Sequence, residues 1–177
     1  NMEGMMGTWP MYVGEHLLPR LHGFELMMAP YTMAHLKLDW EINGDTPAVV
    51  VGDKMPRLQV YLTNSLEECD PNTGTLFSQW LANEANAANR IKRDAPIMIM
   101  MGNPPYSVSS NNKSEWIGHL LDDYKKDLNE RNIQPLSDDY IKFIRLGQYY
   151  VERNGEGILA YISNNSFLDG LIQPQMR

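Results

Sequence analysis

The sequence predicts an α/β fold built on a mostly parallel β-sheet. Short apolar segments typical of strands alternate with longer segments typical of helices, which is the order that produces parallel sheets. Three of the predicted strands end in a polar side chain, namely Glu25, Asn64 and Asn103. Ligands of open α/β sheets bind at the carboxyl ends of the strands, so these residues are the first candidates for a site.

Composition limits the classes of protein to which the chain can belong. Its 177 residues suffice for about one domain with a sizeable core. A net charge of −7 and a pI of about 5.0 argue against a main phosphate-binding surface, which would be rich in Lys and Arg. The single Cys69 excludes an internal disulfide and a cysteine zinc site, and we predict no metal site. No apolar run approaches the ~20 residues of a membrane span, and the single cysteine fits a reducing cytoplasm, where we expect the protein.

The first half of the chain contains two predicted strands and two predicted helices. Residues 1–16 are rich in Met and Gly without a clear period and are expected to be irregular, with a frayed helix remnant over 1–14 as the alternative. A strand over 17–26 is followed by a helix over 29–40, on which four apolar side chains share one face: Ala29, Met33, Leu36 and Trp40. The remaining predictions are a β-prone piece over 48–51, a strand over 58–62, a turn over 72–74 and a helix over 76–91.

The densest basic group, Arg90, Lys92 and Arg93, lies at the end of the last of these helices. It precedes the next strand, at the end opposite to the expected ligand-binding edge. We therefore predict a solvated surface and not a contact with DNA.

The second half opens with the most apolar segment of the chain, which predicts a buried strand over 97–101. Polar residues over 107–112 predict a mobile loop near a ligand. The helix predicted over 116–128 has apolar side chains on one side, namely Ile117, Leu120, Leu121 and Tyr124. Aspartates accompany the basic residues near its end, which favours solvated side chains over phosphate contacts for Lys125, Lys126 and Arg131.

A second helix of this half is predicted to begin at Ser137. Asp138 and Asp139 lie in its first turn, where the helix dipole favours anions, and the pair Asn154 and Gly155 ends it. A wide apolar surface on this helix indicates that it packs on a sheet. The final predicted strand covers 157–162.

The tetrapeptide Asn103–Tyr106 offers specific chemistry because it follows the apolar strand directly. Pro104 and Pro105 remove two backbone donors and restrict two φ angles, so the loop is stiff. The Asn103 side-chain oxygen and the Pro104 carbonyl are two acceptors for one amino group, and Tyr106 offers a ring on which a base can stack. The alternative is an ordinary proline turn with an Asn cap.

Asn103-Pro104-Pro105-Tyr106 after an apolar strand resembles the catalytic motif of the amino-group DNA methyltransferases, specifically the adenine-N6 enzymes. The segments over 18–26, 60–68 and 157–167 are similar to the methylase region of large restriction-modification polypeptides of the type ISP group. The resemblance extends over nearly the whole chain from about Tyr12 onward.

The resemblance implies a Rossmann-like methyltransferase fold and S-adenosylmethionine as the cofactor. Residues Asn103, Pro104, Pro105 and Tyr106 would act on an adenine flipped out of double-stranded DNA, with Glu25 at the cofactor ribose and Asn64 at its adenine. For Glu25 the alternative is a solvated side chain, and for Asn64 a plain turn residue, because the family more often has Asp there. Most of the DNA contact, together with nuclease, helicase or target-recognition domains, is expected outside this chain.

The glycine-rich cofactor loop of such a fold should precede Glu25, and no Gly-x-Gly-x-x-Gly occurs in the sequence. We therefore expect residues 1–177 to be a partial methyltransferase domain that lacks the first strand and the glycine loop. In isolation it should be inactive and bind the cofactor weakly. Two other functions remain open, namely a protein-glutamine methyltransferase with the same motif and a non-catalytic scaffold.

Overall fold

The structure, a computed structural model, describes residues 8–44, 57–67, 76–107, 110–126, 128, 132–170 and 176. The chain divides into two compact units. The first contains Asn1–Ser65 and Cys69–Arg93, and the second contains Leu66–Glu68 and Asp94–Arg177. The fold is mixed α/β, and all strand pairs among the described residues are parallel, as predicted.

The first unit is built on the parallel pair of strands β1 and β2, with Phe24 opposite Tyr61 and Glu25 opposite Leu62. A small core cluster of Val13 and Leu18 packs beside them. The elements in chain order are α1 (Trp9–Tyr12), a π-helical turn (Val13–Leu17), a 3₁₀ turn (Leu18–Arg20), β1 (His22–Glu25), α2 (Met28–Asn43), β2 (Gln59–Leu62) and α3 (Leu76–Asp94).

The N-terminal part of this unit corrects two predictions. Trp9–Leu17 is helical, so over the described part of the N-terminal segment the irregular structure is wrong and the alternative of a helix remnant agrees with the structure. The strand predicted over 17–26 begins only at His22, because Pro19 supports a 3₁₀ turn and cannot donate to a strand partner. The predictions over 48–51 and 72–74 lie outside the described residues.

The second unit is built on the parallel pair of strands β3 and β4, with Ile99 opposite Ile158. Its largest helix covers two core clusters, one around Leu121 and Ile141 and the other around Ile117 and Leu146. The elements in chain order are β3 (Ile99–Gly102), α4 (Glu115–Lys125), a 3₁₀ turn (Gln134–Ser137), α5 (Asp139–Asn154), β4 (Ile158–Tyr161) and α6 (Ser166–Asp169). Gly155 ends α5 with a left-handed φ of +83°, which favours glycine at that position.

Strand β3 corrects the prediction of a buried strand. Ile99 and Met101 are 57% and 76% exposed, and only the alternate side chain, Met100, packs against the core. One face of the two-stranded sheet is covered by the helices of the unit. Since side chains alternate between the faces of a strand, the apolar run of β3 is half covered.

None of the described helices is long and apolar enough to cross a lipid bilayer. Across the same parts of the chain, no three His, Cys, Asp or Glu side chains lie where they could share a metal ion.

Candidate active site

The tetrapeptide Asn103–Tyr106 lies directly after β3, at the carboxyl end of the sheet of the second unit. Pro104 is buried, whereas Asn103 and Pro105 are exposed. Tyr106 is 52% exposed, so part of its ring is accessible to a further planar group. The loop therefore combines a buried attachment point with an exposed amide and a partly exposed aromatic ring.

The residue after β4 and helix α5 contact Gly102, which precedes this tetrapeptide, and Tyr106, which ends it. The Ile162 N–H donates to the carbonyl of Gly102 at 3.0 Å, and the Ile162 carbonyl lies 3.5 Å from the Tyr106 hydroxyl. The Tyr106 ring lies 5.7 Å from the ring of Tyr140, which is buried on α5. These contacts limit the positions that the Tyr106 ring can adopt.

Asp138 holds the residue that follows Tyr106. Its side chain is buried, and its Oδ1 accepts a hydrogen bond from the backbone N–H of Ser107 at 2.8 Å. It is the N-cap residue of α5, yet its side chain makes no capping bond to that helix. The Asp138 carboxylate, which was expected in the first turn of the helix, therefore bonds to the loop and does not cap α5.

Asp139 and Lys142 hold the next part of the loop. Asp139 Oδ1 accepts hydrogen bonds from the Ser110 hydroxyl and from Asn112 Nδ2. The Lys142 Nζ donates to Ser110 Oγ and to the Asn112 carbonyl, both at 2.6 Å. Buried charged groups on α5 therefore bind the described residues of the segment 107–112, for which a mobile loop was predicted.

Burial lowers the pKa of the Lys142 ammonium, and the negative charges of Asp139 and Asp138 oppose that effect. The pKa of the Tyr140 hydroxyl is raised, mainly by burial and also by Asp138. The groups around the loop are thus held in a poorly solvated environment, in which hydrogen bonds are stronger than in water.

The two predicted cofactor residues lie at the same end of the sheet of the first unit. Glu25 is the last residue of β1, and its carbonyl accepts a hydrogen bond from the N–H of Thr63, the residue before Asn64, at 2.8 Å. The Glu25 carboxylate is half-buried, and its Oε1 accepts from the N–H of Met27 at 2.9 Å. Glu25 and Asn64 belong to the first unit, whereas Asn103–Tyr106 belongs to the second.

Lys92 contradicts the prediction that the basic group is solvated. Its side chain is buried, and its Nζ donates to the Asn64 carbonyl at 2.7 Å and lies 5.4 Å from the centre of the Phe24 ring. Arg90 and Arg93 are exposed, as predicted. Lys92 therefore fixes the backbone at the end of β2.

The sequence analysis did not identify several charged residues that are buried in the structure. Glu84 is buried beside β2 and pairs with Arg57 at 2.6 Å. Arg145 is buried on α5 and pairs with Asp123 at 2.6 Å. The i, i+3 spacing of Asp139 and Lys142 is the one sequence signal that could have indicated such a pair, although surface pairs have the same spacing.

Comparisons with known proteins agree with the resemblance seen in the sequence. The sequence profile of the Eco57I restriction-modification methylases matches residues 56–175. The fold is similar to a nuclease-deletion mutant of the Type ISP restriction-modification enzyme LlaGI in complex with a DNA substrate mimic. The identity is 22%, the TM-score is 0.73, and the match covers 99% of this chain and 15% of that one.

Two further solved structures are similar. One is the ATP-dependent Type ISP restriction-modification enzyme LlaBIII bound to DNA, with 27% identity, a TM-score of 0.66 and 88% of this chain covered. The other is a DrdV–DNA complex, with 24% identity, a TM-score of 0.64 and 86% of this chain covered. Among curated proteins no sequence matches the chain.

The chain spans 11% to 15% of the length of these three structures. The methylase profile, in contrast, matches well over half of this chain. The chain therefore belongs to the Eco57I restriction-modification methylase family.

Proposed function

We propose that this chain is part of a methyltransferase domain that transfers a methyl group from S-adenosylmethionine to N6 of an adenine in double-stranded DNA. The observation that carries the proposal is the placement of Asn103–Tyr106 at the carboxyl end of a parallel strand, with Asn103 and Tyr106 accessible. Family membership supports it, and so do the three similar structures, each of which is a complex with DNA or a DNA mimic.

Asn103 and Pro104 would activate the amino group of the adenine. The exocyclic amine is a poor nucleophile because its lone pair is delocalised into the ring. The Asn103 side-chain oxygen and the Pro104 carbonyl can accept its two protons, which favours a more tetrahedral nitrogen. Such hydrogen bonds accelerate the reaction because they are stronger in the transition state than in the ground state.

Tyr106 would hold the flipped base by stacking. Its ring is half exposed and lies against the buried Tyr140 ring. An aromatic ring that is already restricted in position loses little further freedom when a base stacks on it. Pro105, which is exposed, keeps the peptide between the acceptors and the ring stiff.

S-adenosylmethionine would supply the electrophilic methyl group. Glu25 fits the ribose of this cofactor, because its carboxylate lies at the carboxyl end of β1 and, among the described residues, receives only the Met27 N–H. Asn64 would contact the adenine of the cofactor, although an Asn pairs less strongly there than the Asp more usual in the family. Lys92 keeps the Asn64 backbone in place.

The proposal also covers the complete methyltransferase domain and the larger enzyme that contains it. Each unit would supply parallel strands of a Rossmann-like methyltransferase fold, whose first strand and glycine loop this sequence lacks. DNA binding would depend mainly on further regions, including a target-recognition domain, with a nuclease and a helicase in the same cytoplasmic enzyme. The chain carries a net charge of −7, which agrees with a limited contribution to phosphate binding.

The experiment is a methyl-transfer assay on the full-length protein with labelled S-adenosylmethionine and duplex DNA or a protein extract as acceptor. We expect the label in DNA, recovered as N6-methyladenine by mass spectrometry. Label on glutamine in protein would favour the protein-glutamine methyltransferase. No transfer to either acceptor would favour the scaffold and refute the proposal.

A further inference from the structure

An open cavity of about 550 Å³ lies in the second unit beside the loop that follows Tyr106. Binding sites for small ligands typically measure ~300–1,000 Å³, so its size suits a group such as a nucleotide. The residues that line it come from the 110–114 segment, α4, the 3₁₀ turn and α5, and include Ser110, Lys113, Ser114, Lys125, Gln134 and Lys142.

The lining of this cavity is cationic in a chain whose net charge is −7. Three of the lining residues are lysines, and none is an aspartate or glutamate. Lys125 is paired at 2.8 Å with Asp122, which is not part of the lining. Lys113 is exposed and forms no ion pair within the described parts of the chain. Lys142 has Asp139 as a partner at 3.8 Å, so among the three lysines Lys113 is the one without an acidic partner within the described residues.

Lys142 adds to this charge from a buried position. Its ammonium group is held in the cavity wall by Ser110 and Asn112 and lies 3.8 Å from Asp139 Oδ1, which offsets part of its charge. Burial lowers the pKa of Lys142, Asp139 and Asp138 oppose this, and the positive charge of Lys113 makes a smaller contribution in the direction of burial. Two ammonium groups that disfavour each other would both be stabilised by an anion placed in the cavity.

Hydrogen-bond donors complete the lining. Gln134 and Ser137 are exposed, and neither side chain has a hydrogen-bond partner among the described residues. Phosphate oxygens accept hydrogen bonds from such amide and hydroxyl groups as well as from lysines. A phosphate has more acceptor oxygens than a carboxylate. This set of donors therefore fits a phosphate better than a carboxylate.

The cavity is connected to the proposed catalytic loop through the first turn of α5. Asp138 binds the N–H of Ser107, directly after Tyr106, and Asp139 binds Ser110 and Asn112 in the cavity wall. A DNA strand whose target base stacks on Tyr106 has phosphates on both sides of that nucleotide. The wall of the cavity begins at Ser110, four residues after Tyr106 in the chain.

We infer that this cavity binds a backbone phosphate of the DNA strand that carries the target adenine, with Lys113 as the principal cation. The inference rests on the proposed function and adds a DNA contact within this chain to it. Lys125 and Lys142 would contribute charge, whereas Lys126, which pairs with Asp123 in solvent, would not.

The experiment measures the affinity of the full-length protein for a fluorescent DNA duplex as a function of salt, by anisotropy. Each phosphate contact contributes about 0.9 to the slope of log K against log salt, so Lys113→Gln should reduce the slope by about 0.9. Between about 50 and 200 mM salt the parent should then lose about 3.5-fold more affinity than the variant. Lys126→Gln is the matched control and should keep the slope of the parent.

Equal slopes for the parent, Lys113→Gln and Lys126→Gln would overturn the inference, and so would equal reductions in both variants. Thermal unfolding of Lys113→Gln checks that the exposed substitution leaves the fold intact. Methyl transfer to DNA by the parent is measured in parallel. Transfer by the parent with an unchanged Lys113→Gln slope refutes the phosphate site alone, whereas an inactive parent refutes the proposed function.

Discussion

Helices α2 and α5 both have 16 residues, but they differ in how many of these residues are buried. Helix α2 carries large apolar side chains, yet none of its residues is buried. Helix α5 buries eight residues, four of which are Tyr140, Ile141, Leu146 and Tyr150, and three of which are charged: Asp139, Lys142 and Arg145. A charged helix is therefore the core of the second unit, while an apolar helix is exposed in the first.

The difference shows that burial in this protein follows from partners and not from hydrophobicity alone. The buried charges of α5 are each paired or hydrogen-bonded, which offsets the cost of removing them from water. On α2, Met33, Leu36 and Trp40 are 50%, 60% and 72% exposed, because no described element of the chain covers that face. Helix α5 also binds the loop after Tyr106, so its burial serves the proposed site.

The largest expected effect is a loss of methyl transfer when Asn103 is substituted. Asn103→Ala in the full-length protein should lower methyl transfer on the order of 10²–10³-fold, as is typical when one preorganised transition-state hydrogen bond is removed. DNA affinity should remain nearly unchanged, because the acceptor acts mainly in the transition state. Turnover with labelled cofactor and DNA-binding titrations measure the two quantities.

Asn111→Ala is the matched control for Asn103→Ala, since it is an exposed asparagine outside the tetrapeptide. It should retain the turnover of the parent. Equal turnover of Asn103→Ala and Asn111→Ala would contradict the assignment of Asn103.

The comparison of the two helices can be tested by matched truncations. Ile141 is fully buried on α5, so Ile141→Ala should lower the free energy of unfolding by about 2–5 kcal/mol. Leu36→Ala on the exposed face of α2 should change it by no more than about 0.5 kcal/mol. Urea unfolding of both variants gives the two values, and a large loss for Leu36→Ala would show that another part of the protein covers α2.

Substitutions of Asp138 test whether its hydrogen bond to the Ser107 N–H positions the loop after Tyr106. Asp138→Ala leaves the Ser107 N–H without its acceptor, and a hydrogen bond to a charged group is worth about 1.5–3 kcal/mol. Asp138→Asn retains an oxygen that can accept the same bond. We expect Asp138→Ala to lower kcat with little change in KM for DNA, and Asp138→Asn to restore most of the activity. Equal kcat losses in both variants would mean that the hydrogen bond does not position the loop.

Substitutions of Tyr106 distinguish the contribution of its ring from that of its hydroxyl. Tyr106→Ala should weaken binding of the flipped base by roughly 1–3 kcal/mol, the usual contribution of an aromatic ring to stacking. Tyr106→Phe should lose much less, because the one hydrogen-bond partner of the hydroxyl among the described residues is the Ile162 carbonyl, at the long distance of 3.5 Å. The kcat/KM values of both variants measure this. Similar losses in both would assign a chemical role to the hydroxyl.

The smallest expected effect is a pH dependence in the first unit. Burial lowers the pKa of His22 below its ordinary value of 6.5, and the Gln59 side chain opposes this in part. Between the lowered folded-state pKa and 6.5 the unfolded chain binds more protons, so stability falls as the pH drops through this window. His22→Gln should reduce the loss of stability between about pH 7 and pH 5, measured by urea unfolding. The exposed His16→Gln is the control and should show the loss of the parent.

The sequence by itself determined the alternation of strands and helices and the residues at the strand ends. Apolar periodicity and the glycine after Asn154 predicted α5 and its end closely, because both depend on residues near each other in the chain. The motif Asn103–Tyr106 and its family were likewise visible without the structure, and the profile match confirms the family. Lys125 and Lys126 were predicted to be solvated beside acidic residues, and each forms an ion pair with the aspartate three residues before it, which is a local contact.

Only the tertiary structure decided which charges are buried and which apolar faces are not. Lys92 bonds the Asn64 carbonyl 28 residues away, and Lys142 bonds Ser110 32 residues away. Nothing in the local pattern distinguishes such lysines from solvated ones. The exposure of Ile99 and Met101 depends in the same way on which elements cover β3. Local spacing determines the type of an element, whereas burial depends on which distant residues supply the partners that replace water.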